Sequence, residues 1–496
     1  MERTVNSYRR SPAVFSLILC CVLVLSSVAV YLCVGLLPRS VSTADISHNK
    51  LYTLHAETVK FLETLDTDID IILISETGIP EYGIPESILR RYAEKNRHIK
   101  ISVVSPEDVY EEYGTLTEGC AIIRSEARET VVYSSDYFDV SDEYFIMSYN
   151  AYDYLASQLS QQYGINSYAD FMYSGFAESL GLFDIARYQS ALTNAIRYAV
   201  TADITTIYAV SEHDEVMLDV YLYPELRMNN TELIFGKLSD GIPANADGVL
   251  INDPKKDITE SDVAIIREFL DGGGKLTVTT AYENIKELTN LRAILEEYGL
   301  TTDGGFLCED DTNFNYSNYA MVTLPTVNKD AFGGYLTADG LKPIVTGGTG
   351  ITVTEKAGFT VSSLLSTSPN AYTKQDAENE DVKPEFNAET DVRGQYSVAA
   401  ISKNGSNGSS VLWIPNVALG DSDFDTASER NNFPVFTAAL NCQYGADKPI
   451  DIPGVTITVQ PLETPDAVFP IGMVAAIIIP CIIIAVGGVV VIKRRK

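Results

Sequence analysis

Residues 248–281 read GVLINDPKKDITESDVAIIREFLDGGGKLTVTTA, and the fold is decided here. Gly248 to Asn252 is a short apolar run bounded by turn residues, which predicts a buried strand. Thr259 stands three residues before Asp262, the spacing of a capping box, and Ile258 is placed to staple onto Val263. Val263, Ile266 and Leu270 repeat at helical spacing, Gly272, Gly273 and Gly274 stop the helix, and Leu276 with Val278 begins another strand. A strand-helix-strand unit of this length predicts two parallel strands joined by a right-handed crossover.

Similar patterns flank it. Ile185 to Val200 predicts a helix, Ile204 to Val210 a strand and Leu291 to Tyr298 another helix, together a doubly wound core of flavodoxin or glutamine-amidotransferase type. Beyond Asp303, short β segments at Tyr319 to Leu324, Ile351 to Thr354, Tyr396 to Ile401 and Val411 to Ile414 extend the same domain, which is expected to occupy 185–450. Asn370 to Thr390, acidic and without periodicity, and Lys403 to Ser410, rich in Gly, Ser and Asn, predict exposed loops. Nearer the amino end, Ile69, Ile71 and Leu73 alternate, Ile88, Leu89 and Tyr92 sit at helical spacing, and Ile99, Ile101 and Val103 alternate again. Cys120 to Ile123 and Thr130 to Tyr133 predict a hairpin across Arg124 to Glu129. These make a small α/β domain over 38–140, followed by a connecting segment, 141–184, rich in Tyr, Ser and Gln and expected on the surface.

Both ends predict membrane helices. Residues 12–37 and 468–492 carry no charged side chain, and at about 1.5 Å per residue each exceeds the ~30 Å hydrocarbon core. The first run is too long for the apolar region of a signal peptide. Arg3, Arg9 and Arg10 lie in the tail 1–11, and Lys493, Arg494, Arg495 and Lys496 form the tail 493–496, so the positive-inside rule places both termini in the cytoplasm. The expected protein is therefore a two-pass protein of the cell membrane with a large extracytoplasmic region, joined to the second span by the linker 451–467. In the second span Gly472, Ala475 and Ala476 share a face, and Gly487 and Gly488 permit close approach near the cytoplasmic end, which suits docking against another helix.

The 496 residues hold 36 Lys and Arg against 67 Asp and Glu, a formal net charge of -31, with a mean hydropathy of +0.03 and 10% aromatic residues. The region between the spans carries about -37, which excludes nucleic acid as a partner. Its cysteines, Cys120, Cys308 and Cys442, are too sparse for a disulfide framework.

The order of these parts resembles the Gldg family, auxiliary components of ABC-type transport systems named from gliding motility. The resemblance spans nearly the whole chain. It is carried by the first span followed by Asp45-Ile46-Ser47 and Leu51-Tyr52-Thr53-Leu54, the unit ending Val103-Val104-Ser105-Pro106, the helix Ala191-Leu192-Thr193-Asn194-Ala195-Ile196, the unit at 248–281, Gly420-Asp421-Ser422-Asp423-Phe424, and the basic-tailed final span. It implies a thioredoxin-like first domain, an amidotransferase-like second domain, and an ABC-type permease with its ATPase subunit as partners. One departure is Ser211-Glu212-His213-Asp214-Glu215, where the family usually has a Gly-rich Thr-Gly-His-Gly-Glu turn, so no role of that loop carries over.

Chemistry of its own is not expected. A hydrolase of amidotransferase type needs a nucleophile on the tight turn after a strand, and here Ala281-Tyr282-Glu283 follow Thr280. Cys120 stands outside any Cys-x-x-Cys, and no Walker A sequence occurs. Runs Asp421 to Asp425 and Asp311 to Asn315 superficially resemble calcium loops but lack the Gly and Glu at positions six and twelve. The histidines His48, His55, His98 and His213 are too scattered for a zinc pattern. His213, with Glu212 and Asp214 beside it just beyond a strand's carboxyl end, is a candidate ligand loop; the plainer reading is a solvated charged loop. The expectation is a non-enzymatic extracytoplasmic auxiliary subunit without cofactor or metal. Its alternatives are a free-standing surface-binding protein and a degenerate hydrolase of the amidotransferase-like fold.

Overall fold

Alternating apolar residues become strands at both predicted places in the small domain of a computed structural model, which describes residues 45, 49–76, 86–174, 176–336, 338–375, 377, 384–445 and 448–457. Helix α1 (Ala56–Thr64) leads into β1 (Ile69–Ile74), α2 (Glu86–Lys95) and β2 (Ile99–Val104), with β1 and β2 parallel. Ile88, Leu89 and Tyr92 of α2 are buried, as their spacing requires. The hairpin β3 (Ala121–Arg124) and β4 (Glu129–Val132) adds to β1 in antiparallel sense, giving the order β2-β1-β3-β4.

The Tyr-rich connection is largely helical, in α3 (Asp142–Tyr163) and α4 (Tyr168–Tyr173), and most of α3 is exposed. Gly164, at a φ of 70°, ends α3 in the left-handed conformation that favours glycine. Strands β5 (Phe138–Asp139) and β6 (Ile185–Ala186) bracket this segment. The predicted helix at Ile185 therefore starts later, as α5 (Tyr188–Val200), because Ile185 and Ala186 pair in a sheet. Helix α5 packs back on the hairpin: Ser125 Oγ donates to Ala199 O at 2.6 Å and Arg128 Nη1 to Tyr198 O at 2.9 Å.

The large sheet starts with β7 (Thr205–Val210), then α6 (Tyr223–Met228), β8 (Thr231–Gly236), β9 (Gly248–Asn252), α7 (Glu260–Asp271), β10 (Lys275–Thr279) and α8 (Thr289–Glu297). It is completed by β11 (Thr326–Val327), β12 (Phe359–Ser366), β13 (Ser397–Asn404) and β14 (Ser410–Ile414), followed by α9 (Ser422–Ala427) and α10 (Asn432–Tyr444). Across the sheet the order is β11-β12-β13-β14-β10-β9-β7-β8. Strands β7, β8, β9, β10 and β14 are parallel, in the doubly wound order second, first, third, fourth, fifth; β11 to β13 extend one edge in antiparallel sense. Ile207, Ala209, Leu250, Leu412 and Ile414 pack with residues of α6 and α10, while Tyr208, Val210, Val249, Ile251, Val411 and Trp413 pack with α7 and α8 on the other face. The alternation follows from the two-residue period of a strand covered on both sides.

One loop expectation is corrected. Within Asn370 to Thr390, residues Tyr372–Lys374 form a fully buried strand paired with Phe306–Cys308. Lys374 Nζ meets Asp391 Oδ2 at 2.9 Å with both side chains almost wholly buried. Three residues are too few to display a period, and a buried charge pair looks like surface in a sequence.

Leu54–Ile457 forms one compact unit, separate from the described residues of 1–53. Of the latter, Asp45 accepts the Tyr52 N–H at 3.0 Å and the Thr53 hydroxyl at 2.8 Å. Among the described residues no helix is long and apolar enough to cross a membrane. The two predicted spans, with Gly472, Ala475, Ala476, Gly487 and Gly488, lie outside the described residues.

Candidate functional site

Parallel sheets of this kind take ligands beyond the strand ends where the order reverses, here between β7 and β9. The chain itself fills that crevice. Val216 N–H donates to Asn252 O at 3.0 Å, Asn252 Nδ2 returns a bond to Val216 O at 2.7 Å, and the N–H groups of Lys255 and Lys256 both reach His213 O at 3.1 Å.

His213 is only 4% exposed, which corrects the solvated-loop reading. Its Nδ1 lies 3.0 Å from Glu215 Oε1 and its Nε2 3.1 Å from Asp262 Oδ2, while its backbone N–H donates to Glu215 Oε2 at 2.7 Å. Two buried carboxylates need a cation between them, and an imidazole donating from both nitrogens supplies it. The bond to Glu215, and with it the bond to Asp262, raises the His213 pKa against the lowering effect of burial. Glu212 accepts instead from Ser239, at 3.1 Å from N and 2.6 Å from Oγ, and exposed Asp214 pairs with Lys256 at 2.6 Å. Ligand atoms of Glu212, His213 and Asp262 lie within 4.8 Å of one another, close enough to surround a metal ion. Each of these groups already has protein partners, and a ligating histidine needs one bare nitrogen. His213 and Asp262 therefore fasten the loop to α7, while Glu212 ties it to Ser239. Asp262 carries no sequence signal for this role, since its visible job is to cap α7 with Thr259.

A second place is open. A cleft of about 310 Å³ runs between α5 and α10, walled by Asn194, Tyr335, Leu336 and Ala438 and roofed by the strap 448–452. The roof is pinned by Asn194, whose Nδ2 donates to Ile450 O at 3.1 Å and whose Oδ1 accepts Ile450 N–H at 2.8 Å. Arg187, Glu225, Met228 and Pro434 also border an inner chamber of about 30 Å³, shared with Asp136, Tyr173, Asp425 and Arg430, space for about two water-sized groups.

Arg430 lies over the Tyr173 ring, 4.9 Å from its centre. Its Nη1 donates to Phe138 O at 3.0 Å and its Nε stands 3.8 Å from Asp139 Oδ1. Buried Nε and Nη2 have no hydrogen-bond partner among the described residues. Asp425 accepts from Tyr173 Oη at 3.0 Å and Phe433 N–H at 2.8 Å. Burial pushes Asp425 up to about 7 and Asp136 up to about 6, and raises Glu225 as well. Glu429 and Arg430 both have positive φ, 56° and 58°, a conformation costing about 1–3 kcal/mol per residue that persists only where surroundings enforce it. Sequence reasoning missed this cluster: its members come from elements far apart in the chain, and only Asp425 fell in a noted motif. That calcium-like run is a helix cap, with Asp421 accepting from Asp423 and Phe424 N–H groups.

Cys120, Cys308 and Cys442 are free and buried. Burial pushes the Cys308 thiol up to about 12 and raises the other two. On the turn after β10, Ala281 N–H donates to Asp253 Oδ1 at 2.8 Å, and Thr280 Oγ1 accepts from Trp413 Nε1 at 3.1 Å.

No family model and no curated protein matches this chain. Among solved structures it is similar to the IFT52 N-terminal domain, at 14% identity and a TM-score of 0.36 over 48% of this chain and 97% of that one. It is also similar to a ThuA-like protein from Bacteroides uniformis ATCC 8492, at 12% identity and 0.30 over 48% and 91%, and to the cytoplasmic protein STM3548 from Salmonella typhimurium, at 10% and 0.27 over 43% and 87%. Likenesses of that degree say nothing of function.

Proposed function

We propose that the chain is a membrane-anchored, extracytoplasmic auxiliary subunit of an ABC-type transport system that binds or positions the permease or its cargo, without catalysis. The observation that carries the non-enzymatic part is the closed crevice between β7 and β9: the place where such a sheet would hold a substrate is occupied by its own loop, locked by His213 between Glu215 and Asp262. Buried thiols with raised pKa are poor nucleophiles. The strand order supports an amidotransferase- or flavodoxin-like core, and the order β2-β1-β3-β4 with α5 packed on β3 and β4 supports a thioredoxin-like small domain. The apolar runs 12–37 and 468–492 with their basic flanks support the anchoring.

Protease added outside intact cells is expected to digest residues 38–467 and spare epitopes on both tails; cleavage of either tail epitope would refute the topology. Deleting the partner permease is expected to abolish the cellular role. A role that survives that deletion would favour a free-standing binding protein or a degenerate hydrolase, for which the closed crevice would be a relic.

A further inference from the structure

We propose that the cleft between α5, α6 and α10 binds a free zwitterionic α-amino acid, with Arg430 and Arg187 taking its carboxylate, Glu225 its ammonium group, and the outer chamber its side chain. This rests on the cleft alone and holds whether or not the chain serves a transporter.

The Nε and Nη2 of Arg430, which lack a hydrogen-bond partner among the described residues although Nε lies 3.8 Å from Asp139 Oδ1, are one edge of the guanidinium, and that edge matches a carboxylate with two parallel hydrogen bonds. Leaving two buried donors empty is costly, so a ligand or water is expected to fill them. Glu225 lines both chambers, and Arg187 and Arg430 attract its carboxylate electrostatically against the effect of burial. Arg187 also borders both chambers, with Nη1 3.4 Å from Asp139 Oδ2. Positive groups that share Asp139 and a negative group, Glu225, thus meet at the junction of a small chamber and a larger one. An α-amino acid carries a carboxylate and an ammonium on one carbon, and an outer volume of about 310 Å³ accommodates the remainder.

Charge balance selects against other classes. Asp136, Asp139, Glu225 and Asp425 surround the two arginines, so a phosphate would meet too many carboxylates. A bare divalent cation would meet two guanidinium groups. Burial raises Asp425 to about 7 and Asp136 to about 6, which lowers the negative charge that competes for the arginine edge as pH falls toward those values.

The test is calorimetric titration of the full chain in detergent with each standard amino acid, then with the N-acetyl and carboxamide derivatives of the tightest. At least one amino acid is expected to bind with a Kd below about 1 mM, and loss of either charge is expected to weaken it about tenfold or more. Glu225→Gln and Arg187→Gln should each weaken binding about tenfold while melting like the native chain. If either variant fails to fold, Ser190→Phe, which obstructs the outer chamber from α5, should abolish binding in its place. Absence of binding by every amino acid up to that limit, equal binding of either derivative, or unchanged affinity in the folded variants would overturn the proposal.

Discussion

His213 Nε2 sits 3.1 Å from Asp262 Oδ2, so the loop leaving β7 is fastened to the first turn of α7. The same Asp262 oxygen accepts Thr259 N–H at 2.8 Å and Thr259 Oγ1 at 2.5 Å. One carboxylate therefore caps a helix and closes the crevice where a ligand would otherwise enter.

The fastening predicts a pH dependence of stability. His213 has a raised folded pKa, so its contribution is full below its ordinary value of 6.5 and is lost as pH rises through the folded value. Burial acts to raise Glu215 and Asp262, yet hydrogen bonds, from His213 to Glu215 and from Thr259 and His213 to Asp262, leave both lowered. Their contributions are full above their ordinary values of 4.5 and 3.8 and fade as pH falls through the folded ones. The melting-temperature gap between the native chain and His213→Gln should thus be widest at about pH 5–6.5 and narrow toward about pH 9. Scanning calorimetry across that range checks this; a gap that is constant with pH would contradict it.

Lys374 and Asp391 form a buried pair, with Lys374 Nζ also donating to Glu385 O at 2.9 Å. Asp391→Ala strands the ammonium and is expected to cost about 3–5 kcal/mol, whereas Lys374→Met combined with Asp391→Leu should recover most of that. Urea denaturation separates the cases. A cost below about 1 kcal/mol for the single change would be the behaviour of a surface pair instead.

Gly248 opens β9 directly against the Tyr444 ring, and a Cβ there would overlap it. Gly248→Ala is expected to destabilise by about 1–3 kcal/mol through overpacking, and less in a Tyr444→Leu background. Equal costs in both backgrounds, measured by thermal denaturation, would show that the ring is not what excludes a side chain.

Much of the fold was legible where several local signals coincide. At 248–281 the capping box, the helical repeat and the glycine stop all mark the same boundaries, and the structure places β9, α7 and β10 there. The hairpin β3–β4 was legible for the same reason. Sites built across distance were not. His213 and Asp262 are 49 residues apart, and nothing near His213 distinguishes a buried imidazolium from a charged loop. Arg187, Glu225 and Arg430 likewise lie on separate elements, and each reads locally as an ordinary surface charge. Their convergence depends on how α5, α6 and the α9–α10 connection pack, which no spacing encodes.

The most direct measurement is purification of the tagged full chain from its native membrane in mild detergent, with identification of whatever accompanies it by mass spectrometry. A transport subunit should bring a multi-span permease and a chain bearing a Walker A sequence in constant proportion, with recovery of both falling when residues 468–492 are replaced by an unrelated leucine-rich span that keeps Lys493 to Lys496. Recovery of the native chain free of both companions would contradict the assignment to an ABC-type system.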